Sequence, residues 1–323
     1  MNPQTILWTA FVVAVAGALA IDLGLFQRRA HVVHSREALA WTLVWIALAL
    51  AFNAGVWWLK GPRTATEFLA GYLIEKALSV DNLFVFLVIF SYFKVPREYE
   101  SRILMWGILG ALVMRALFVV GGAALINAFD WMMYVFGAIL IFTALRLLVK
   151  REGDVELEKN PVVRFFRRFV PLTDRQDGQR FFVRVEGRLM ATPLFLVILV
   201  IESTDIVFAV DSIPAVFAVT RDPFIVYTSN VFAILGLRAL YFLLARVMDL
   251  FRFLKYGLVL ILLFVGVKML LAHHVKIPIG ASLAVILGTL ALSVVLSLLF
   301  REPHRHDGDA PPGAPPPPPP PAA

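Results

Sequence analysis

A chain of 323 residues that is 60% hydrophobic and only 16% charged, with a mean hydropathy of +0.80, is not a soluble domain, which carries roughly 45–50% apolar and about 25% charged residues. It contains no cysteine, which excludes disulfides, thiolate-held metals and dithiol redox chemistry. The net charge of +7 would suit nucleic acid, but the basic residues lie between apolar runs, where membrane topology accounts for them.

Taken in chain order, runs long enough to cross a bilayer fall near residues 6–26, 38–59, 67–91, 103–126, 131–149, 191–219, 224–246, 254–272 and 277–300. The first has no basic segment before it and reads as a helix rather than a signal peptide. With the amino terminus outside, 22 of the 30 Lys and Arg lie inside and four (Lys60, Arg63, Arg221 and Lys276) outside. Lys76, Arg115, Arg238 and Lys268 fall within spans. That asymmetry satisfies the positive-inside rule and predicts nine transmembrane helices, N-out and C-in. The fold class is therefore all-α: a polytopic membrane domain over residues 1–300, followed by a tail.

Between the fifth and sixth helices, residues 150–190 form a cytoplasmic loop. Its Val162–Phe169 stretch mixes apolar and basic residues, as a segment on an anionic leaflet or on the inner face of the bundle would. Phe181–Val185 followed by Glu186-Gly187 reads as a short hairpin. Residues 301–323 hold ten of the nineteen prolines and predict a disordered cytoplasmic extension rich in polyproline II. Trp57 and Trp58 suit an interfacial belt. His273 and His274 fall at the predicted outer interface, and Asp22 and Asn53 near helix ends, where hydrogen bonding is the simpler role.

The middle of the chain repeats itself. Ser79-Val80-Asp81-Asn82 in the third helix corresponds to Ser203-Thr204-Asp205-Ile206 in the sixth at an offset of 124. Arg115-Ala116-Leu117-Phe118 corresponds to Arg238-Ala239-Leu240-Tyr241 at 123, and Phe142–Arg146 to Phe264–Lys268 at 122. Helices 3–5 (about 67–149) and 6–8 (about 191–272) thus form an inverted three-helix repeat, since units of three spans must cross in opposite directions. Such folds bind substrate near the midplane between their copies.

A carboxylate at the centre of a span costs roughly 3 kcal/mol on insertion scales, so Asp81 and Asp205 point to a task. Glu75 and Asn82 share a helix face with Asp81 one step away, and Glu202 and Asp205 are neighbours at i and i+3. Asp211 projects elsewhere on a regular helix, but Pro214 predicts a kink or unwinding that would bring it in. Ser79, Ser203 and Ser212 add hydroxyls. Asp81, Asp205, Glu75, Asn82, Glu202 and Asp211 are the candidate metal ligands. All are oxygen donors, suiting a hard cation such as Mn²⁺, Mg²⁺ or Ca²⁺. Five acids exceed one divalent charge, so some must be protonated or paired with Lys76, Arg115, Arg238 or Lys268, and protons are expected to compete with metal. Neither a nucleophile–base pair nor a zinc-type histidine motif stands out, so the chain is not expected to be an enzyme. With no nucleotide-binding motif, ion gradients would supply the energy.

Gly71-Tyr72-Leu73-Ile74-Glu75-Lys76-Ala77-Leu78-Ser79-Val80-Asp81-Asn82-Leu83-Phe84-Val85-Phe86, Trp106–Ala111 and Ile201–Ala215, with Asn53-Ala54-Gly55, closely resemble the TerC/Alx family of bacterial integral membrane proteins, over about residues 5–300. The resemblance implies membership of the lysine-exporter superfamily, residence in the bacterial cytoplasmic membrane, and a link to manganese export and tellurite resistance. It matches the acidic motifs at Glu75, Asp81, Asn82, Glu202, Asp205 and Asp211. The redox-modulator label of some members finds no thiol here. The expectation is a secondary transporter exporting Mn²⁺, with the bilayer, the metal and protons as partners, no permanently bound cofactor and no nucleic acid. The rival is a non-transporting scaffold or stress-resistance protein that assists insertion or metallation of partner proteins and uses its acids only for internal pairing.

Overall fold

The computed structural model describes residues 3–26, 34–129, 131–149, 173, 178, 180–185, 188–245, 253–272, 275 and 277–300. The Val162–Phe169 segment, His273, His274 and the proline-rich tail lie outside them. The helices are α1 (Pro3–Phe26), α2 (Ser35–Lys60), α3 (Pro62–Tyr92), α4 (Arg97–Ala128), α5 (Met132–Val149), α6 (Pro193–Phe217), α7 (Pro223–Leu235), α8 (Leu237–Leu244), α9 (Leu254–Leu270) and α10 (Ile279–Leu299). Between α5 and α6, β1 (Phe182–Val185) and β2 (Arg188–Ala191) pair antiparallel, Val185 opposite Arg188, which is the hairpin expected there.

Proline opens α3, α6 and α7 at the first turn, where a missing amide costs nothing and the fixed φ already suits a helix. Gly61 separates α2 from α3 at φ 88°, a left-handed conformation that glycine adopts without a Cβ penalty.

Within α2, α4, α5, α6 and α10 lie helices long and apolar enough to cross a membrane, and α7 with α8, bent by 42°, is long and apolar enough as a pair to form a broken span or a re-entrant loop. The apolar part of α1, Gln4–Ala20, and the 17-residue α9 sit at the short end of spanning length. The 31-residue α3 is long enough but carries Arg63, Glu67, Glu75, Lys76 and Asp81. This is a helical protein that crosses the bilayer repeatedly.

Of the kink or unwinding expected at Pro214, the unwinding is overturned. Pro214 does not unwind its helix: α6 runs unbroken to Phe217. The proline frees only the carbonyl of Val210, and Ala218 still bonds back to the Pro214 carbonyl at 3.0 Å. The break falls at Gly236 instead, between α7 and α8. A Cβ there would sit 2.7 Å from Lys76 Nζ and 3.2 Å from Trp45 Cβ, so the chain turns at a residue that lets α2 and α3 come close.

Helices in a bilayer associate through close van der Waals packing rather than apolar burial, and glycines mark the tight crossings. Gly137 of α5 and Gly266 of α9 approach until the carbonyl of each is 2.9 Å from where the other's Cβ would stand. α3 packs on α6 and α7, α4 on α6 and α7, α5 along α9, and α2 against α3 and α8. At one end, Lys60 Nζ donates to Asp222 Oδ2 at 2.8 Å and Thr220 Oγ1 to Glu67 Oε2 at 2.7 Å, tying the α2–α3 turn to the α6–α7 connection. Lys94, Arg97 and Ala245 share a cavity at the ends of α3, α4 and α8.

Candidate cation site

Four helices meet around one arginine. Arg115, on α4, and Glu75, on α3, are 2% and 0% exposed, and Arg115 Nη1 lies 2.6 Å from Glu75 Oε1. The same nitrogen donates to Ser212 Oγ on α6 at 2.7 Å and to Asn230 Oδ1 on α7 at 3.0 Å. Asn230 Nδ2 in turn donates to Glu75 Oε2 at 2.9 Å, closing a ring of Glu75, Arg115 and Asn230. Asp205, 5% exposed on α6, lies within electrostatic range of Arg115 and Glu75. Glu202 lies within range of Asp205.

These placements follow from helical geometry. Asn82 is buried beside Glu75 on the inner face of α3, whereas Asp81, one step round, is half-buried. Glu202 is half-buried and stands against Gly110 of α4, where a Cβ would collide with its carboxylate. Replacing Gly110 with Leu is therefore expected to splay α4 from α6 and lower the detergent-solubilised melting temperature by several degrees, read by intrinsic fluorescence. An unshifted melt would show that the contact is loose.

Because α6 runs on through Pro214, Asp211 faces α5 and not the centre: its Oδ1 accepts from Thr143 Oγ1 at 2.7 Å, with Arg146 within electrostatic range. Ser212, one residue on, is the one that reaches Arg115. Among the flanking polar residues, Ser203 Oγ bonds back to the Val200 carbonyl at 2.7 Å, and Lys268 donates to Ser282 Oγ on α10 at 2.9 Å. Arg238 is buried in the first turn of α8. Lys76 Nζ lies 5.9 Å from the Tyr72 ring centroid, and it and Ser79 Oγ have no hydrogen-bond partner among the described residues.

Asn230 and Thr143 escape a reading of the sequence. A signal for Asn230 does exist, since an amide inside the apolar run from Ile225 to Leu235 has to find partners just as a charge does. Among the described residues no three His, Asp or Glu side chains converge closely enough to hold a metal. The oxygens that do converge, from Glu75, Asn230 and Ser212, meet at Arg115 Nη1, with Asp205 within electrostatic range.

The fold and this buried polar centre define a polytopic helical membrane protein with a charged interior. The chain belongs to the integral membrane protein TerC family, whose description matches residues 60–305. It is 50% identical over 306 residues to the uncharacterized membrane protein STKORF319 of Myxococcus xanthus, covering 94% of this chain and 96% of that one. It is 49% identical over 312 residues to Alx of Escherichia coli K12, named as a candidate membrane-bound redox modulator, with 94% and 96% covered. No solved structure gives a significant match.

Proposed function

We propose that this protein is a secondary transporter that exports a hard divalent cation, Mn²⁺, across the bacterial cytoplasmic membrane by alternating access. The observation that carries the reading is the Glu75–Arg115–Asn230–Ser212 cluster with Asp205 beside it. A charged, oxygen-rich centre inside a helical membrane protein is costly and marks an ion pathway by default, and carboxylate, amide and hydroxyl oxygens suit Mn²⁺-type cations.

The reading takes nine spans, and the packing supports an inverted repeat of α3–α5 with α6–α9 within them. Exchanging the two triplets maps the α3–α7 contact onto α6–α4, while α3–α6 and α5–α9 map onto themselves. The cluster then sits between the two copies, where such folds hold their substrate. The amino terminus is placed outside and the carboxyl terminus inside. Proton binding to the central carboxylates competes with the metal and couples the two fluxes.

The experiment that separates transport from scaffolding compares two sets of variants for manganese tolerance in a sensitised strain. Removing the tail from residue 301 is expected to leave tolerance within about twofold of the parent, whereas Asp81→Asn or Asp205→Asn abolishes it. The reverse pattern would identify a docking protein that needs its tail and not its carboxylates.

A further inference from the structure

The Nη1 end of Arg115 meets more oxygens than it has hydrogens. Three oxygens from three helices converge on the single nitrogen Nη1: Glu75 Oε1 at 2.6 Å, Ser212 Oγ at 2.7 Å and Asn230 Oδ1 at 3.0 Å. An NH₂ group carries two hydrogens, and Ser212 and Asn230 receive hydrogen bonds from it. Glu75 Oε1, the nearest of the three, is buried and accepts no hydrogen bond from the described residues. Its second oxygen is held by Asn230 Nδ2 at 2.9 Å, so the first is aimed at Nη1 by the surrounding structure. This is an arrangement for a point charge, not for a planar fork, which would be expected to engage a carboxylate through two parallel N–H bonds.

We propose that the Arg115 guanidinium is a tethered stand-in for the transported ion. Glu75 Oε1, Asn230 Oδ1 and Ser212 Oγ hold either Arg115 or a hard divalent cation, with Asp205 close enough to add its charge, and the ion enters only as Arg115 withdraws. This rests on the transport reading above and specifies its ligands, adding Asn230 and assigning Glu75 to a seat already occupied. A spherical cation has no limit of two donors and can satisfy all three oxygens at once. It draws them in to about 2.0–2.6 Å. It also balances the charge better: one guanidinium neutralises one of the two carboxylates, and a divalent ion neutralises both. Competition between a side chain and the substrate for one seat gives the ion a way out, because Arg115 returning to the oxygens expels it.

The test uses the full chain in lipid nanodiscs, with radioactive Mn²⁺ alone as the ligand and size-exclusion profiles to report folding. Arg115→Met removes the competitor, and its affinity for Mn²⁺ should rise at least tenfold while export in vesicles falls. Arg115→Lys keeps a charge but loses the guanidinium's reach and should bind Mn²⁺ several-fold tighter than the parent. A folded Arg115→Lys protein that binds Mn²⁺ as weakly as the parent, or more weakly, overturns the proposal. So does loss of folding in both variants, which would make Arg115 a structural strut. If the parent exports Mn²⁺ and the variants do not alter affinity, only the stand-in role fails. If the parent neither binds nor exports it, the transport reading fails as well.

Discussion

Replacing Glu75 with Gln should both destabilise the protein and abolish manganese export. Glu75 is 0% exposed and faces the Arg115 guanidinium at 2.6 Å. Its removal leaves a cation inside the bundle with the Asp205 carboxylate within electrostatic range but making no direct ion pair with it. Breaking a buried pair from one side typically costs about 3–5 kcal/mol, most of it the penalty on the abandoned partner. Asn230 can still donate to the new amide oxygen, which places the expected loss at the lower end, about 3 kcal/mol. The control is Glu75→Gln with Arg115→Met. With both charges gone, much of the lost stability should return while export does not, and the departure from additivity measures the coupling directly. Thermal melts of the four purified proteins provide the measurement. If Glu75→Gln alone melts with the parent, the ion pair does not hold the bundle as its geometry implies.

Asp205→Asn should produce the opposite combination, a well-folded protein that does not transport. Asparagine is nearly the same shape, and Arg115 keeps its counter-ion in Glu75 and its hydrogen bonds to Ser212 and Asn230. What is lost is the second negative charge beside the seat, without which two neutral oxygens and one carboxylate cannot balance a divalent ion. Export should drop at least about a hundredfold, a loss near 2.8 kcal/mol at roughly 1.4 kcal/mol per decade. Asp211→Asn is the instructive comparison. Its carboxylate is engaged by Thr143 on α5 and lies outside the central group, so it should retain far more activity. Equal losses from the two substitutions would mean that Asp211 takes part at the centre in another conformation.

Much of this arrangement is legible in the amino-acid sequence, for one reason: a charge inside an apolar run is expensive, so each such residue announces itself. Glu75, Arg115, Asp205 and Glu202 stand out on that ground, and pairing of an acid with Arg115 follows from the excess of carboxylates. Helix positions are legible too, since runs such as 131–149 and 254–272 are bounded by breakers and charges that the helices respect. Periodicity alone cannot tell which face of one helix meets which face of another. That is why Asn230, neutral and on a helix outside the acidic motifs, does not show itself between Glu75 and Arg115. The same limit explains where the helix breaks. Local chemistry favours Pro214, but a proline frees one carbonyl and the helix carries on, whereas the break falls at Gly236, where Lys76 and Trp45 of two other helices leave no room for a Cβ. Asp211 then follows helical geometry to α5, as an unbroken helix requires.

The central claim is that a divalent ion and Arg115 share one seat between two helix triplets, and that the ion is moved through it. Uptake of radioactive Mn²⁺ into inverted membrane vesicles tests this most directly, comparing the parent with Asp205→Asn at matched protein levels under an imposed proton gradient. Saturable, gradient-sensitive accumulation in the parent and background uptake in Asp205→Asn is the result the account predicts. Equal uptake in the two, or none above empty vesicles in either, would contradict it.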